Sequence, residues 1–565
     1  MSLKKMDGNA LAIETRTQSA VFQNGIITSL VSKITNEQYI KTDASEVGVC
    51  ADWANGDMRR LDTGSVECRI LSENRAEFIY HSWYGDGVAY VSADEETGDI
   101  LVRASATSGR PGLKSCGFNI RGIGSDLYAL IPASQGIKFK LDDPLCSGMT
   151  FNWPSDWEMG FIIFENDSKD GFWVHCRDEK YLPKRLAIGG AGEPDRITLY
   201  TEAFGPLDSN KSAGGVTWRI NVYRGGWRVP AQIYKDWYYE TFDIEKEKSN
   251  RLAWLRDIKM AICWANSDTA VLDAVARHVD PRKVLIHMAI WRDFEYDQNY
   301  PEYVPNAAAA AYIEHGAKLG FKIAPHMNAM DIDPSHPVYP MLSDFKMLSV
   351  NDQTICGWGW DPDAGGIGKF LGVPWTEYAR TDPRNRRYNI MTQIHPGLSM
   401  WQSELYKRMQ DVADKHPIAA CFIDVALGTS NLHNAIVEGR TSSEGMVDMI
   451  KMLSEIRGGL PIGGEGLNEN MARGLSFAQM HIYKHAHNSS PDMARCGGDC
   501  AINDFVLGEL CRTVGYHALS GKNEDEYTRL KIYDDHNAIP TVITNNPDEL
   551  SNPNKFIKGV YDRAS

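Results

Sequence analysis

Through most of the first 240 residues, apolar and polar positions alternate with a period of two. "SAVFQNGIITSLVSKITNEQYI" places two short apolar runs on either side of Asn24-Gly25, a dipeptide that supplies two left-handed residues to a tight hairpin. "AEFIYHSWYG", "VAYVSADEETGDILVRASAT" and "TWRINVYRGGW" are β-branched and aromatic, with Gly, Asp and Asn between them. Helical periodicity is scarce here. The pattern predicts an antiparallel β-sandwich over residues 1–240. "AQIYKDWYYETFDIEKEKSNRLAWLRD" then turns helical and charged, and residues 241–257 read as a linker helix.

From residue 258 the period lengthens towards 3.6, and strand-like runs alternate with amphipathic ones. The strand "IKMAICWA" is followed by the helix "DTAVLDAVARHV" and the strand "KVLIHMAIW". "NAAAAAYIEHGAKLG" is an Ala-rich helix with Gly320 as its C-cap, and it leads into "FKIAPHMNAMDID". "GLSMWQSELYKRMQDVADKH" precedes "AACFIDVALG", and "SEGMVDMIKMLSEIRGG" precedes "LPIGGEGLNEN" and "FAQMHIYKH". The end offers a helix around "VLGELCRTVGYHAL", a strand "IPTVITN" and a helix "NKFIKGVYDRA". Polar residues finish nearly every strand. That favours a (β/α)8 TIM barrel over residues 258–565 rather than an open sheet.

Length and charge narrow the function. A chain of 565 residues exceeds one ordinary core. A net charge of −15 argues against a nucleic-acid partner, since phosphate recognition needs basic patches. No run of eighteen apolar residues exists, so no membrane-spanning helix is expected. The opening "MSLKKMDGNALAIE" has no apolar stretch of signal-peptide length, which leaves a cytoplasmic location, or a periplasmic or secreted one if a leader was removed. Several of the eleven cysteines, Cys263 and Cys421 among them, sit in apolar strand-like runs and read as buried thiols. "CGGDC" at Cys496 to Cys500 lacks the spacing of a zinc knuckle and reads as a loop. No Gly-x-Gly-x-x-Gly follows a strand, so neither a dinucleotide nor another cofactor is expected.

What the strand ends offer is carboxylates among aromatics. Parallel strands would bring Trp264 and Asn266, Trp291 with Asp297 and Tyr300, then His326, Asn328 and Asp331 to one rim. Asp424, Glu465 with Glu469 behind it, and His481 or Tyr483 complete it. Asp424 interrupts an apolar run, where a carboxylate costs several kcal/mol, roughly, unless paired or at an opening to water. Asp424 and Glu465 on adjacent strands match glycoside hydrolysis, in which one carboxylate attacks and the other protonates the leaving oxygen. Glycines flank Glu465 and would let backbone and substrate approach closely. Asp297, His326 and Asn328 would hold sugar hydroxyls, with Trp264 and Trp291 as a stacking floor. The bland readings are that Asp424 caps a turn or pairs with an arginine, that Glu465 is a structural partner, and that Asp331 and Asp333 make an Asx turn before Pro334.

"CFIDVALG", followed by the Glu465 of "GGEGLNE", resembles the retaining α-glycosidases of the endo-α-N-acetylgalactosaminidase type. "WRDFEYDQNYPEYVP" and "HPGLSMWQSEL" resemble segments of related, uncharacterised glycoside-hydrolase-like bacterial proteins. "NGIITSLVSKITNEQYI" resembles the opening of the β-supersandwich that precedes many α-glycosidase barrels. The resemblance implies Asp424 as nucleophile and Glu465 as acid/base, without metal, on an oligosaccharide or glycoside. It does not carry the sugar. The accessory domains of mucin-degrading relatives and the C-terminal β-domain common in such enzymes are not in this sequence, and "MHIYKH" lacks the sixth-strand aspartate of α-galactosidases proper. Two other readings stand beside it. One is a metal-dependent lyase or isomerase with His326, Asp331, Asp424 and Glu465 as ligands, and the other a catalytically inactive carbohydrate-binding protein.

Overall fold

The computed structural model describes residues 2–565 except 44, 57, 61–65, 83–84, 144–147, 190–191, 250, 252, 362–365, 369–381, 386–388, 481–499 and 516–525. Antiparallel strands of five-, nine- and six-stranded sheets account for the first 224 residues. Gln18–Gln23 and Ile26–Ser32 form the hairpin expected at Asn24-Gly25, with φ of 52° and 77° at the turn. Strands such as Gly85–Ala93 bury every second residue, and all three sheets share one apolar core. The fold is therefore a β-sandwich followed by a parallel barrel.

The barrel strands are β1 (Met260–Ala265), β2 (Val284–Met288), β3 (Lys322–Asn328), β4 (Cys421–Asp424), β5 (Ile462–Glu465), β6 (Phe477–Met480), β7 (Arg512–Gly515) and β8 (Thr541–Val542). Neighbours pair in parallel in the order β7-β6-β5-β4-β3-β2-β1-β8. A parallel bridge between Val514 and Ile539 closes the ring. Strand β7 lies where the sequence predicts helix. Val506, Leu507, Leu510, Cys511 and Val514 keep a helical spacing, yet only Ile502–Leu507 is helical. A short strand buried on both faces carries no periodicity of its own to oppose that signal.

Ala307–Leu319 starts at Asn306, whose side chain accepts from Ala309 N, and ends at Gly320 with φ of 103°, as expected. Between β3 and β4 the chain adds a four-stranded antiparallel sheet that the periodicity does not reveal, built from Asp331–Ile332, Gly357–Asp361, Gly366–Gly368 and Asn389–Gln393. Between β5 and β6 only a single 3-10 turn, Met471–Arg473, appears. The helix Arg228–Thr241 covers that gap. Its Tyr238 hydroxyl donates to Glu469 O at 2.6 Å, and its Tyr234 hydroxyl to Glu469 Oε2 at 2.6 Å. No helix among the described residues is long and apolar enough to cross a membrane.

Glu469, expected near substrate, joins the two halves of the molecule instead. Its second oxygen accepts from Trp153 Nε1 at 2.5 Å, and Lys184, 3.5 Å over the Trp153 ring, is the cation beside it. Glu469→Ala would leave a buried indole N–H and a buried phenol without acceptors. The expected loss is about 3 kcal/mol of stability, with Glu469→Gln milder. Thermal unfolding checks it, and an unchanged Tm would show that this carboxylate does not hold the halves together.

Candidate active site

A closed barrel gives each strand an inner face with a two-residue repeat. Ala261, Cys263, Leu285, Ala324, Phe422, Phe477 and Val514 make the apolar cluster inside. Two residues further along their strands come His287 after Leu285, His326 after Ala324, Asp424 after Phe422 and Gln479 after Phe477. Glu465 stands level with these, because it pairs with Gln479 while Ile423 pairs with Gly464. The glycines around Glu465 serve this packing rather than substrate approach. A Cβ on Gly463 would lie 2.1 Å from the Phe477 ring, one on Gly464 2.6 Å from Leu475, and one on Gly466, whose φ is +69°, 2.2 Å from Leu427.

Asp424 and Glu465 share a hydrogen bond, and Val425 N–H donates to Glu465 Oε2 at 3.2 Å. Tyr296 donates its hydroxyl to Asp424 Oδ2 at 3.3 Å, and His326 Nε2 lies 3.5 Å from the same oxygen. Burial alone would raise Asp424. His326, by its charge when protonated and by its hydrogen bond, together with Val425 N–H and Glu465, outweighs burial and holds Asp424 below the ordinary range. Burial, with the Asp424 charge beside it, pushes Glu465 well above that range. The proton affinities of the two neighbouring carboxyls are thus driven in opposite directions.

The other sequence-predicted residues divide. Trp264 is half-buried, its ring 5.3 Å from Tyr296 and 6.2 Å from His326. Trp291 is fully buried, so it offers no face for stacking, and its indole N–H donates to His326 O at 2.8 Å. Asp297 is buried and raised well above the usual range, by burial first and then by the charges of Asp424 and Asp331. Tyr300, wholly buried, backs Asp297 and carries Arg292 over its ring at 4.2 Å. Asn328 spends its side chain on the next turn. Its Oδ1 accepts from Met330 N at 3.0 Å and Asp331 N at 2.8 Å, and its Nδ2 donates to Asp331 Oδ2 at 3.0 Å. Burial pushes Asp331 up to about 7, and Trp358 Nε1 donates to it at 2.5 Å. Asp333 does make the expected turn, accepting from Ser335 N at 2.9 Å. His481, Tyr483 and Cys496 lie outside the described residues. Among the described residues no group of three or more His, Cys, Asp or Glu is arranged to hold a metal ion.

Tyr296, His287 and Gln479 are the additions that sequence reasoning missed. His287 interrupts the apolar run "VLIHM" just as Asp424 interrupts "CFID". The same signal would have found it.

A family model described as "Domain of unknown function (DUF6259)" matches residues 216–352, a span that holds His287, Tyr296 and His326 but neither Asp424 nor Glu465. No curated protein matches the sequence. Among solved structures, the α-N-acetylgalactosaminidase NagBb from Bifidobacterium bifidum in complex with Gal-NHAc-DNJ is similar with a TM-score of 0.65 at 12% identity, over 100% of this chain and 92% of that one. Its quadruple mutant gives 0.66 at 12% over the same shares. The GH36 α-galactosidase AgaB from Geobacillus stearothermophilus reaches only 0.48 at 9%, over 100% and 86%, and carries no argument. At such identities the likeness shows the fold alone, a β-sandwich followed by a parallel barrel.

Val425, directly after Asp424, has φ of 51°, an outlier for a β-branched residue that costs roughly 1–2 kcal/mol. Val425→Gly is expected to leave Tm unchanged or raised, because relieved strain offsets the glycine's entropy. Turnover should fall, because the N–H aimed at Glu465 loses its fixed direction. Calorimetry beside kinetics decides, and a Tm loss of several degrees would show that the valine backbone is unstrained.

Proposed function

We propose that this chain is a glycoside hydrolase that cleaves an α-linked sugar by retaining double displacement, with residues 258–565 as its catalytic unit and residues 1–240 as support. The observation that carries the reading is the Asp424–Glu465 pair, level on neighbouring strands with their proton affinities driven apart. Asp424 attacks the anomeric carbon and Glu465 protonates the leaving oxygen. Glu465 then takes a proton from the water that releases the sugar. The likeness to an α-N-acetylgalactosaminidase supports an α-linkage at the level of fold.

Spacing supports retention. Inverting enzymes hold their carboxyls about 6.5–9.5 Å apart to admit water, and retaining ones about 5–5.5 Å. Here the two share a hydrogen bond, which leaves no room between them for the water of an inverting enzyme. A sugar entering between them takes over the Glu465 proton, which now points at Asp424, as the proton for its glycosidic oxygen. Half-buried Trp264 offers an aromatic face, while Asp297 and Asp331, their proton affinities raised by burial, present acceptors for hydroxyls.

Asp424→Asn should abolish turnover of every glycoside. Glu465→Gln should lose roughly 10²–10⁴-fold on substrates with poor leaving groups, yet release a burst of phenol from activated aryl α-glycosides. Azide should then rescue the slow second step and give a glycosyl azide of retained configuration. The wild-type rate should fall as pH drops through the depressed pKa of Asp424 and as it rises through the raised pKa of Glu465. The alkaline limb should vanish from the burst of Glu465→Gln. Full activity of that variant on natural glycosides would remove Glu465 from the role. Hydrolysis of no α- or β-glycoside in a panel would favour a carbohydrate-binding protein.

A further inference from the structure

We infer that His287 is a positioning residue, one that fixes the tautomer of His326 so that an N–H rather than a lone pair faces Asp424. The chain of contacts runs through five groups. Trp264 N approaches His287 Nδ1 at 3.5 Å and Gln479 Nε2 approaches the same nitrogen at 3.4 Å. His287 Nε2 meets His326 Nδ1 at 3.0 Å, and His326 Nε2 lies 3.5 Å from Asp424 Oδ2.

The direction of the protons follows from the first contact. A backbone N–H can only donate, so His287 Nδ1 is an acceptor and carries no proton. Burial holds His287 neutral, its pKa well below the ordinary value. A neutral imidazole has one N–H, which here must be on Nε2, aimed at His326 Nδ1. His326 Nδ1 is then an acceptor in turn, and its own proton sits on Nε2, towards Asp424. Phe422 supports both rings from below, with centroids 4.3 Å from His287 and 5.4 Å from His326. Trp264 reaches His287 because its backbone has φ of 59° at an irregularity of β1.

With this tautomer Asp424 Oδ2 faces two donors, His326 and the Tyr296 hydroxyl. With the other it would face an imidazole lone pair in a cage that already holds Glu465, Asp297 and Asp331. The consequence for turnover rests on Asp424 being the nucleophile. The tautomer itself does not.

Two readouts separate them. The full chain, with ring-labelled ¹⁵N histidine and signals assigned by substitution, should show His326 unprotonated at Nδ1 and protonated at Nε2 at neutral pH. His287→Phe keeps a ring but no donor and should lose that pattern. His287→Gln, whose amide can donate to His326 Nδ1, should keep it. In kinetics, His287→Phe should move the acidic limb of kcat/KM up by about one pH unit and cut kcat roughly tenfold. KM should stay near wild type, and His287→Gln should remain within about two-fold on both. A wild-type His326 protonated at Nδ1, or a pattern unchanged in His287→Phe, overturns the inference. A His287→Phe enzyme with a wild-type pH profile overturns it too, while leaving the hydrolase reading intact. The expected tautomer in a chain that hydrolyses no glycoside supports the relay and sinks the hydrolase reading instead.

Discussion

Everything at the candidate site depends on strands that are buried on both faces inside a closed ring. Such a strand has no solvent side on which to place polar residues, so its inner face must stay apolar until the ring opens. The barrel obeys this within two residues. Phe422 and Phe477 fill the interior, and Asp424 and Gln479 follow them on the same faces. The Phe477 ring occupies the space that a side chain on Gly463 would take, and Glu465 rises above it as the next inward residue of β5. The chemistry is a layer resting on a hydrophobic floor.

That floor makes charge expensive, and four carboxyls share the space above it. Were all four ionised at such range, their mutual repulsion and desolvation would far exceed what hydrogen bonds return. Asp297, Asp331 and Glu465 all have raised proton affinities, and Asp424 alone is depressed. The difference lies in the partners. Asp331 has only neutral donors, Asn328, Trp358 and Gln393, while Asp424 has His326, a phenol and the Glu465 carboxyl. The cage therefore favours negative charge on Asp424 and raises the proton affinity of the three carboxyls around it.

Much of this was legible because it breaks a pattern. Asp424 within "CFID" and Glu465 within "IGGEGL" are polar residues where an apolar run should continue, and each stands where a strand ends. The hairpin at Asn24-Gly25 and the cap at Gly320 were legible for a different reason, since positive φ restricts which residues serve. What stayed hidden has no local signature. Trp291, Tyr300 and Glu469 look like site residues in one dimension. All three are buried, Tyr300 against its near neighbours Asp297 and Arg292, and Glu469 against Trp153 and Tyr234 from the first half of the molecule. Strand β7 was masked by helical spacing borrowed from the segment before it. Tyr296 belongs to a loop whose path depends on the antiparallel insertion, since Asn389 Nδ2 donates to Tyr296 O at 3.2 Å.

Backbone groups supply the last element of order. Side-chain donors can titrate or rotate, whereas a peptide N–H does neither at any ordinary pH. Two non-glycine residues in the left-handed region, Trp264 and Val425, sit at the ends of β1 and β4. Trp264 aims its N–H at His287 Nδ1 and Val425 at Glu465 Oε2. Strain of this kind persists only where the surroundings over-determine it. Leu427 packed against Gly466 and the Phe422 ring set against the His287 and His326 rings provide that constraint. Two groups that cannot titrate thus face the histidine pair and the carboxyl pair. An arrangement fixed in this way keeps its direction when a ligand displaces the hydrogen bond between the carboxyls.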